Sequence, residues 1–278
     1  MVRNGYIGKL KSINIWSLGS TPGGSTKVMD PPPTLDYDFW LGPAPFKPFT
    51  EDRCTHEGGK KTWWFNTDYA LGFIAGWGIH PMDIALWGGA DLLQGKVEVE
   101  GKALYGDTVA CNTAKVWDID FRFSTGVAMK FVGIPNGENA GKPTGDPYYH
   151  FEDWKKRYRR ILDHGTAFEG DNGWVHVDRG GINLEPESLA EVKKEGFKTR
   201  LIQSGDHVGN FLACVKSRDK TVCPIEDAVL GDSMCHIADI AARLQRPLIY
   251  DIGSEDFIND REASGRLRLR DMRKPWHV

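Results

Sequence analysis

The segment from Gly72 to Asp83 constrains the fold of this chain more than any other. It reads Gly-Phe-Ile-Ala-Gly-Trp-Gly-Ile-His-Pro-Met-Asp and places three glycines among apolar residues. Each glycine inside a helix costs about 1 kcal/mol relative to alanine, so this is not a typical core helix. We interpret the segment as backbone brought close to a ligand. His80 and Asp83 are three positions apart, so they are expected to share one helical face as an acid–base pair.

A proline limits where a helix after these glycines can begin. Pro81 has no N–H and would clash one turn back inside a regular helix, but the first turn tolerates it. The sequence therefore predicts a helix that starts near His80 and runs to Trp87. It should end at Gly88-Gly89, since glycine is common just after a helix.

Alternating apolar residues predict a sheet built largely from hairpins. The turn around Gly126 separates two alternating runs, and an Asn-Gly turn at 172–173 separates two more. Consecutive strands with short turns favour an antiparallel sheet and an α+β fold. The predicted strands cover residues 9–17, 97–99, 116–123, 127–131, 167–168 and 174–178.

The remaining segments predict two helices and two irregular regions within one domain. Residues 208–215 and 237–244 carry apolar side chains at positions i, i+3, i+4 and i+7, which is typical of amphipathic helices. Residues 18–65 are rich in glycine, proline, serine and aspartate and predict a long loop excursion. A polar tail covers residues 251–278. With no internal repeat, we predict a single domain over residues 1–278.

Composition excludes several classes of partner. The chain has 278 residues, 40% of them hydrophobic, and a net charge of −3, which allows a proper core. The balanced charge predicts neither a nucleic-acid nor an anionic-membrane partner, and no apolar run reaches the roughly 18 residues of a membrane span. Five cysteines without Cys-x-x-Cys spacing favour reduced thiols, and the first residues do not resemble a signal peptide. We therefore expect a cytoplasmic protein.

Aromatic residues close to the glycine-rich segment indicate a carbohydrate site. Trp63, Trp64 and Trp77 can stack on the C–H faces of a sugar, although core packing is the commoner role of a single tryptophan. Asp68 and Tyr69 can bind sugar hydroxyls. Loop-capping hydrogen bonds explain these two residues equally well.

Histidines supply the candidate acid–base chemistry. His80 can take or give a proton near neutral pH, and the alternative is a buried histidine bonded to a backbone carbonyl. Asp83 can orient that ring or bind a hydroxyl, and the alternative is a carboxylate that complements the helix dipole. His207 is a further candidate for substrate binding. No metal site is predicted from His80, His207 and His236, because no short ligand spacing supports one.

The order and spacing of these features resemble one enzyme family. Residues 78–87, Gly-Ile-His-Pro-Met-Asp-Ile-Ala-Leu-Trp, resemble the motif that opens the C-terminal, substrate-binding half of Gfo/Idh/MocA sugar oxidoreductases. The resemblance implies an open-faced, mostly antiparallel sheet with helices on one face, like the C-terminal domain of glyceraldehyde-3-phosphate dehydrogenase. It also implies a sugar or polyol beside His80 and a homo-oligomer formed through the other sheet face. Residues 2–10, 39–45, 210–218 and 238–244 resemble further parts of the same family.

The sequence does not show the cofactor half of that family. The family's Rossmann domain has a Gly-x-Gly-x-x-Gly fingerprint and a Glu-Lys-Pro whose lysine serves the chemistry, and neither occurs here. The nearest match, Gly76-x-Gly78-x-x-Pro81, ends in proline. Gly76 also occupies the position, four residues before the histidine, where many members have Asp or Asn. We therefore predict no cofactor-binding residues in this chain, and NAD or NADP is implied only if a Rossmann half is supplied.

Two functions remain open from the sequence. The first is the substrate-binding and oligomerisation portion of an NAD(P)-dependent oxidoreductase acting on a sugar or polyol, completed by a separate Rossmann-containing part. The second is a stand-alone protein without redox chemistry. It would be a carbohydrate-binding partner subunit, or a cofactor-independent sugar lyase or hydrolase that uses His80. Gly76, in place of an acid, favours this second function.

Overall fold

The computed structural model describes residues 1–21, 23–51, 53–54, 63–106, 110–136, 146–159, 161–268 and 272–276. The strands are β1 Leu10–Leu18, β2 Lys96–Tyr105, β3 Ala114–Phe123, β4 Ala128–Ile134, β5 Gly165–Gly170, β6 Gly173–Asp178, β7 Gly181–Glu185, β8 Leu248–Asp251 and β9 Asp256–Phe257. The helices are α1 Tyr37–Leu41, α2 Phe73–Gly76, α3 Ile79–Gly89, α4 Asp146–Tyr158, α5 His207–Ser217, α6 Ile225–Leu244 and α7 Arg261–Leu267.

One mixed sheet organises this part of the chain. Its strand order is β7-β6-β5-β1-β4-β3-β2-β8-β9. The pair β1–β4 is parallel, and every other neighbouring pair among the described strands is antiparallel. The predicted hairpins are confirmed: Phe121 lies opposite Met129, and Phe168 lies opposite Val175. The α+β class and the mostly antiparallel sheet are therefore confirmed.

The larger core lies between one sheet face and helices α2, α3 and α6. Ile13 and Ile15 of β1 point to this side because alternate strand residues share a face. Met82 of α3 and Ala241 of α6 close over them, and all four are fully buried. Helix α3 begins one residue before His80, and its last residue is Gly89, so the predicted start and end are confirmed.

Helix α4 corrects the prediction that helices pack on one face only. Trp16 is fully buried on the opposite face of β1, in a second cluster with Trp154 and Tyr158 of α4. Large aromatic side chains on that face need a cover, and α4 supplies it. Farther along the same face, Lys130 of β4 pairs with Asp118 at 2.8 Å. The predicted homo-oligomer contact through this face stays a prediction.

The predicted amphipathic helices form, but one of them leaves its apolar stripe open. Helix α6 buries its apolar residues in the main core. In α5, by contrast, Val208, Phe211, Leu212 and Val215 are each at least 45% exposed. Periodicity predicted this helix correctly, and the structure shows that the stripe is not part of the described core.

The two irregular regions contain some regular structure of their own. Residues 18–65 include α1, and Tyr37 and Phe49 form a small separate cluster there. The tail includes β9 and α7, and Arg273 then pairs with Asp38 at 2.6 Å. In the part of the chain that the structure describes, no helix is long and apolar enough to cross a membrane.

Candidate functional site

The glycines before α3 pack against the chain itself. A Cβ built on Gly76 would lie 2.3 Å from Nε1 of Trp64. A Cβ on Gly78 would lie 2.4 Å from the carbonyl oxygen of Ile74 and 2.6 Å from Cζ of Phe131. Real Cβ atoms do not come this close to other atoms, so these positions exclude other residues. The predicted close approach of the backbone to another group does occur here. The groups it approaches are residues of the protein itself and not a ligand.

His80 lies in the first turn of α3 with its side chain open to solvent. Its ring meets the ring of Trp77 edge to face, with centroids 5.3 Å apart. Partial burial against this neighbour lowers the pKa of His80, and the charges of Arg179 and His164 lower it further. The imidazole is therefore neutral at neutral pH and can accept a proton. It is not the buried, carbonyl-bonded histidine that was the alternative.

His164, which the sequence analysis missed, lies on the same tryptophan. Its centroid is 5.4 Å from that of Trp77, and its Nδ1 is 2.8 Å from a carboxylate oxygen of Asp163. The residue is only 9% exposed, and its Nε2 has no hydrogen-bond partner among the described residues. An unpaired buried ring nitrogen is costly. The available signal was an Asp-His pair directly before a predicted strand.

Arg179, also missed, completes this group from the turn between β6 and β7. Its guanidinium carbon lies 4.9 Å from the centroid of Trp77. Asp178 fixes the turn, because its carboxylate accepts hydrogen bonds from the N–H of Gly180 at 2.6 Å and of Leu162 at 2.8 Å. The site built on Trp77, hereafter the Trp77 site, therefore comprises Trp77, His80, His164 and Arg179.

Asp83 has different neighbours from His80, although both belong to α3. Burial and the nearby charge of Asp227 raise the pKa of Asp83. Asp83 in turn acts on Cys223, whose pKa rises through burial first and through this carboxylate second. No hydrogen bond joins Asp83 to His80 among the described residues. The structure therefore gives the predicted acid–base pair no direct contact.

Several predicted sugar-binding residues line a separate cleft between the α2–α3 corner and helices α6 and α7. This cleft has a volume of about 920 Å³, and Trp64, Asp68 and Tyr69 lie on one wall. The opposite wall includes His236 and Arg243. Trp63 stacks on Trp64, with ring centroids 6.2 Å apart.

His207 lies at a third place. It is the first residue of α5 and lines a cleft of about 860 Å³ together with Cys223 and Asp227. No ring contact or hydrogen bond joins it to His80 in the described residues. The residues predicted as one site thus lie on three surfaces, and only Trp77 and His80 share the Trp77 site.

The comparison with family models decides the relationship of this chain to known proteins. The model of the Gfo/Idh/MocA oxidoreductase family, C-terminal alpha/beta domain, matches residues 15–156 and 159–278. This chain belongs to the Gfo/Idh/MocA oxidoreductase family. No curated protein matches it.

Solved structures share the fold of this Gfo/Idh/MocA domain at low sequence identity. A proposed oxidoreductase from Thermotoga maritima is 15% identical with a TM-score of 0.50. The match covers 89% of this chain and 57% of that one. The aldose-aldose oxidoreductase from Caulobacter crescentus, complexed with glycerol, is 13% identical with a TM-score of 0.51; the match covers 88% of this chain and 57% of that one. The chain thus spans less than three fifths of these similar proteins.

Two features bear on what this Gfo/Idh/MocA domain can hold. Among the described residues, no group of three or more His, Cys, Asp or Glu side chains is arranged to bind a metal ion. The nearest match to a dinucleotide fingerprint is Gly76-x-Gly78, and Trp64 and Phe131 fill the space beside these glycines. A pyrophosphate therefore has no room beside these two glycines.

Proposed function

We propose that this chain is the substrate-binding portion of an NAD(P)-dependent oxidoreductase that acts on a sugar or polyol. The observation that carries the proposal is the state of His80. Its imidazole is open to solvent, has a lowered pKa and lies beside Trp77 and a second histidine. A neutral, accessible imidazole can accept the proton of a hydroxyl that is being oxidised. An indole next to it can pack on the sugar ring.

The hydride acceptor comes from outside this chain in the proposal. The two glycines nearest to a dinucleotide fingerprint leave no room for a pyrophosphate, which supports a Rossmann-containing domain or subunit as the source of NAD or NADP. Two features support such a partner. The chain covers 57% of the similar aldose-aldose oxidoreductase, and the apolar stripe of α5 is exposed. Self-association through the sheet face and a cytoplasmic location belong to the same proposal.

The substrate class follows from the Trp77 site and from the relatives. Hydroxyl-rich molecules need hydrogen-bonding groups beside an aromatic surface, and His80 and Trp77 provide both. The oxidoreductase from Caulobacter crescentus acts between aldoses and contains glycerol, which supports a sugar or polyol here.

Calorimetric titration of the purified chain tests this function. We expect binding of at least one sugar or polyol from a panel of neutral and acidic compounds, and no binding of NADH. His80→Ala should weaken sugar binding about three- to tenfold, the usual effect of losing one hydrogen bond, and leave thermal unfolding nearly unchanged. His150→Ala is the matched control, because His150 lies on α4 across the sheet and contacts Asp118.

Three results would contradict the proposal. Tight NADH binding by the chain alone would show that the cofactor site is here. Unchanged sugar binding in His80→Ala would remove this residue from the site, and failure of every compound to bind would remove the substrate role.

A carbohydrate-binding role without redox chemistry is the second candidate. The cleft of about 920 Å³ favours it, because Trp64, Asp68 and Tyr69 combine aromatic faces with a carboxylate. In addition, the residue four positions before His80 is Gly76 and not an acid. This favours a non-redox protein or a His80-dependent lyase or hydrolase. In the same titrations, Asp68→Asn should lower sugar affinity more than His80→Ala if this cleft is the sugar site.

A further inference from the structure

Arg179 is an exposed cation that has no acidic partner among the described residues. No ion pair or hydrogen bond joins its guanidinium to another residue in the part of the chain that the structure describes. The side chain is nevertheless held in place, because its guanidinium carbon lies 4.9 Å from the centroid of Trp77 and the following turn is fixed by Asp178. Stacking on an indole covers one face of a guanidinium and leaves its N–H edges free to donate.

The charges around Trp77 leave this cation uncompensated near His80. The two groups whose charges act on His80 are Arg179 and His164, and both disfavour its protonation. Asp163 is the nearby carboxylate, but it is about half exposed and is bonded to Nδ1 of His164. The site therefore presents one free positive charge beside a neutral imidazole.

An oxyanion on the substrate fits this arrangement better than another hydroxyl. A guanidinium offers paired N–H donors that match a carboxylate, and such charge-assisted bonds are about twice as strong as neutral ones. We infer that the substrate of the Trp77 site is a sugar acid, whose carboxylate is bound by Arg179 while a neighbouring hydroxyl faces His80. The inference rests on the proposed function and names its substrate class.

The charge count favours a carboxylate over a phosphate ester. One guanidinium balances a single negative charge, whereas a phosphate monoester carries nearly two at neutral pH. The neutral His80 adds no second cation. Phosphate sites are commonly completed by a helix N-terminus or by more basic groups, and the Trp77 site contains one arginine.

Matched pairs of ligands test the inference at low ionic strength. We expect D-glucuronate to bind at least about tenfold more tightly than D-glucose, and D-gluconate to bind similarly more tightly than D-sorbitol. Arg179→Gln should abolish this preference, and Arg179→Lys should keep only part of it because the paired donors are lost. Arg261→Gln, which changes another exposed arginine at the start of α7, should keep the preference.

The outcomes separate this inference from the proposed function. Equal binding of acids and neutral sugars, no binding of either acid, or a preference that survives Arg179→Gln would overturn the inference. D-glucose 6-phosphate binding as tightly as D-glucuronate would overturn the assignment to a carboxylate. If acids show no Arg179-dependent preference but neutral sugars bind in a His80-dependent way, the proposed function stands while the inference fails. Arg179-dependent binding of acids that His80→Ala does not weaken would support the carboxylate contact of Arg179 and contradict the role proposed for His80.

Discussion

Two clusters of histidine and aromatic rings in this protein differ in their access to solvent. In the Trp77 site, His80 is exposed and Arg179 has no acidic partner among the described residues. In the cluster under α4, His176 is fully buried and stacks on Trp16 with centroids 5.3 Å apart. Nδ1 of His176 lies 3.1 Å from Nδ2 of Asn183, and the second cluster is closed to ligands.

The comparison shows that a lowered pKa does not by itself identify a functional histidine. Burial lowers the pKa of His176 to about 4, against the partial opposition of Asp178. Burial also lowers the pKa of His80, but there Arg179 and His164 add to the effect and the ring stays accessible. The first shift follows from structural packing and the second accompanies an exposed ring, so access to solvent decides between them.

Replacing the central tryptophan of each cluster should give the largest contrast. Trp16→Ala removes a fully buried indole from the cluster under α4 and should lower the free energy of unfolding by about 3–5 kcal/mol. Trp77→Ala should cost clearly less stability, because Trp77 is only partly buried, but it should abolish binding of sugar ligands. Urea denaturation and calorimetric titration measure the two effects. A stability loss for Trp77→Ala equal to that of Trp16→Ala would mean that both clusters are structural.

Local patterns predicted the elements of the fold, while the site depends on contacts far apart in the chain. Hairpins and helices follow from periodicity and turn residues, as the α3 segment shows with its Pro81 start. His164 and Arg179 follow His80 by more than 80 residues and reach it because β5 and β6 pair beside β1. No local pattern contains that register, so the sequence analysis did not identify them.

Residues that are neighbours in sequence also face different surfaces of the protein, and a single sequence segment does not show this. Gly76 and Trp77 are neighbours, yet Gly76 packs under Trp64 at one cleft while Trp77 carries the rings of the Trp77 site. Successive residues of a helix point about 100° apart, so nearby residues commonly face different surfaces. The assumption that the aromatic residues of this segment form one sugar site was therefore too coarse.

The buried histidine should make the protein sensitive to mild acid. His176 has a folded-state pKa of about 4, below the value of about 6.5 expected in the unfolded chain, so protonation favours unfolding. Its stabilising contribution is complete above about pH 6.5 and is lost as the pH falls towards 4. Relative to His176→Phe, which cannot titrate, the natural protein should lose about 2–3 kcal/mol more stability between about pH 7 and pH 4.5. Urea denaturation at the two pH values measures this difference. If the natural protein and His176→Phe lose the same stability, His176 does not titrate in this range.

The smallest effect should be a change in the pKa of His80. Burial, Arg179 and His164 all lower this pKa below its ordinary value of about 6.5, so the imidazole should protonate only at a lower pH than a free histidine. Arg179→Gln removes the second of these causes, so the pKa of His80 should rise, and the rise should be small because solvent screens exposed charges. NMR titration of the imidazole, assigned with His80→Ala, measures this shift, and added salt should reproduce part of it in the unmodified protein. An unchanged pKa in Arg179→Gln would mean that the guanidinium does not act on His80. The Trp77 site would then lack the electrostatic coupling that distinguishes it from the cluster under α4.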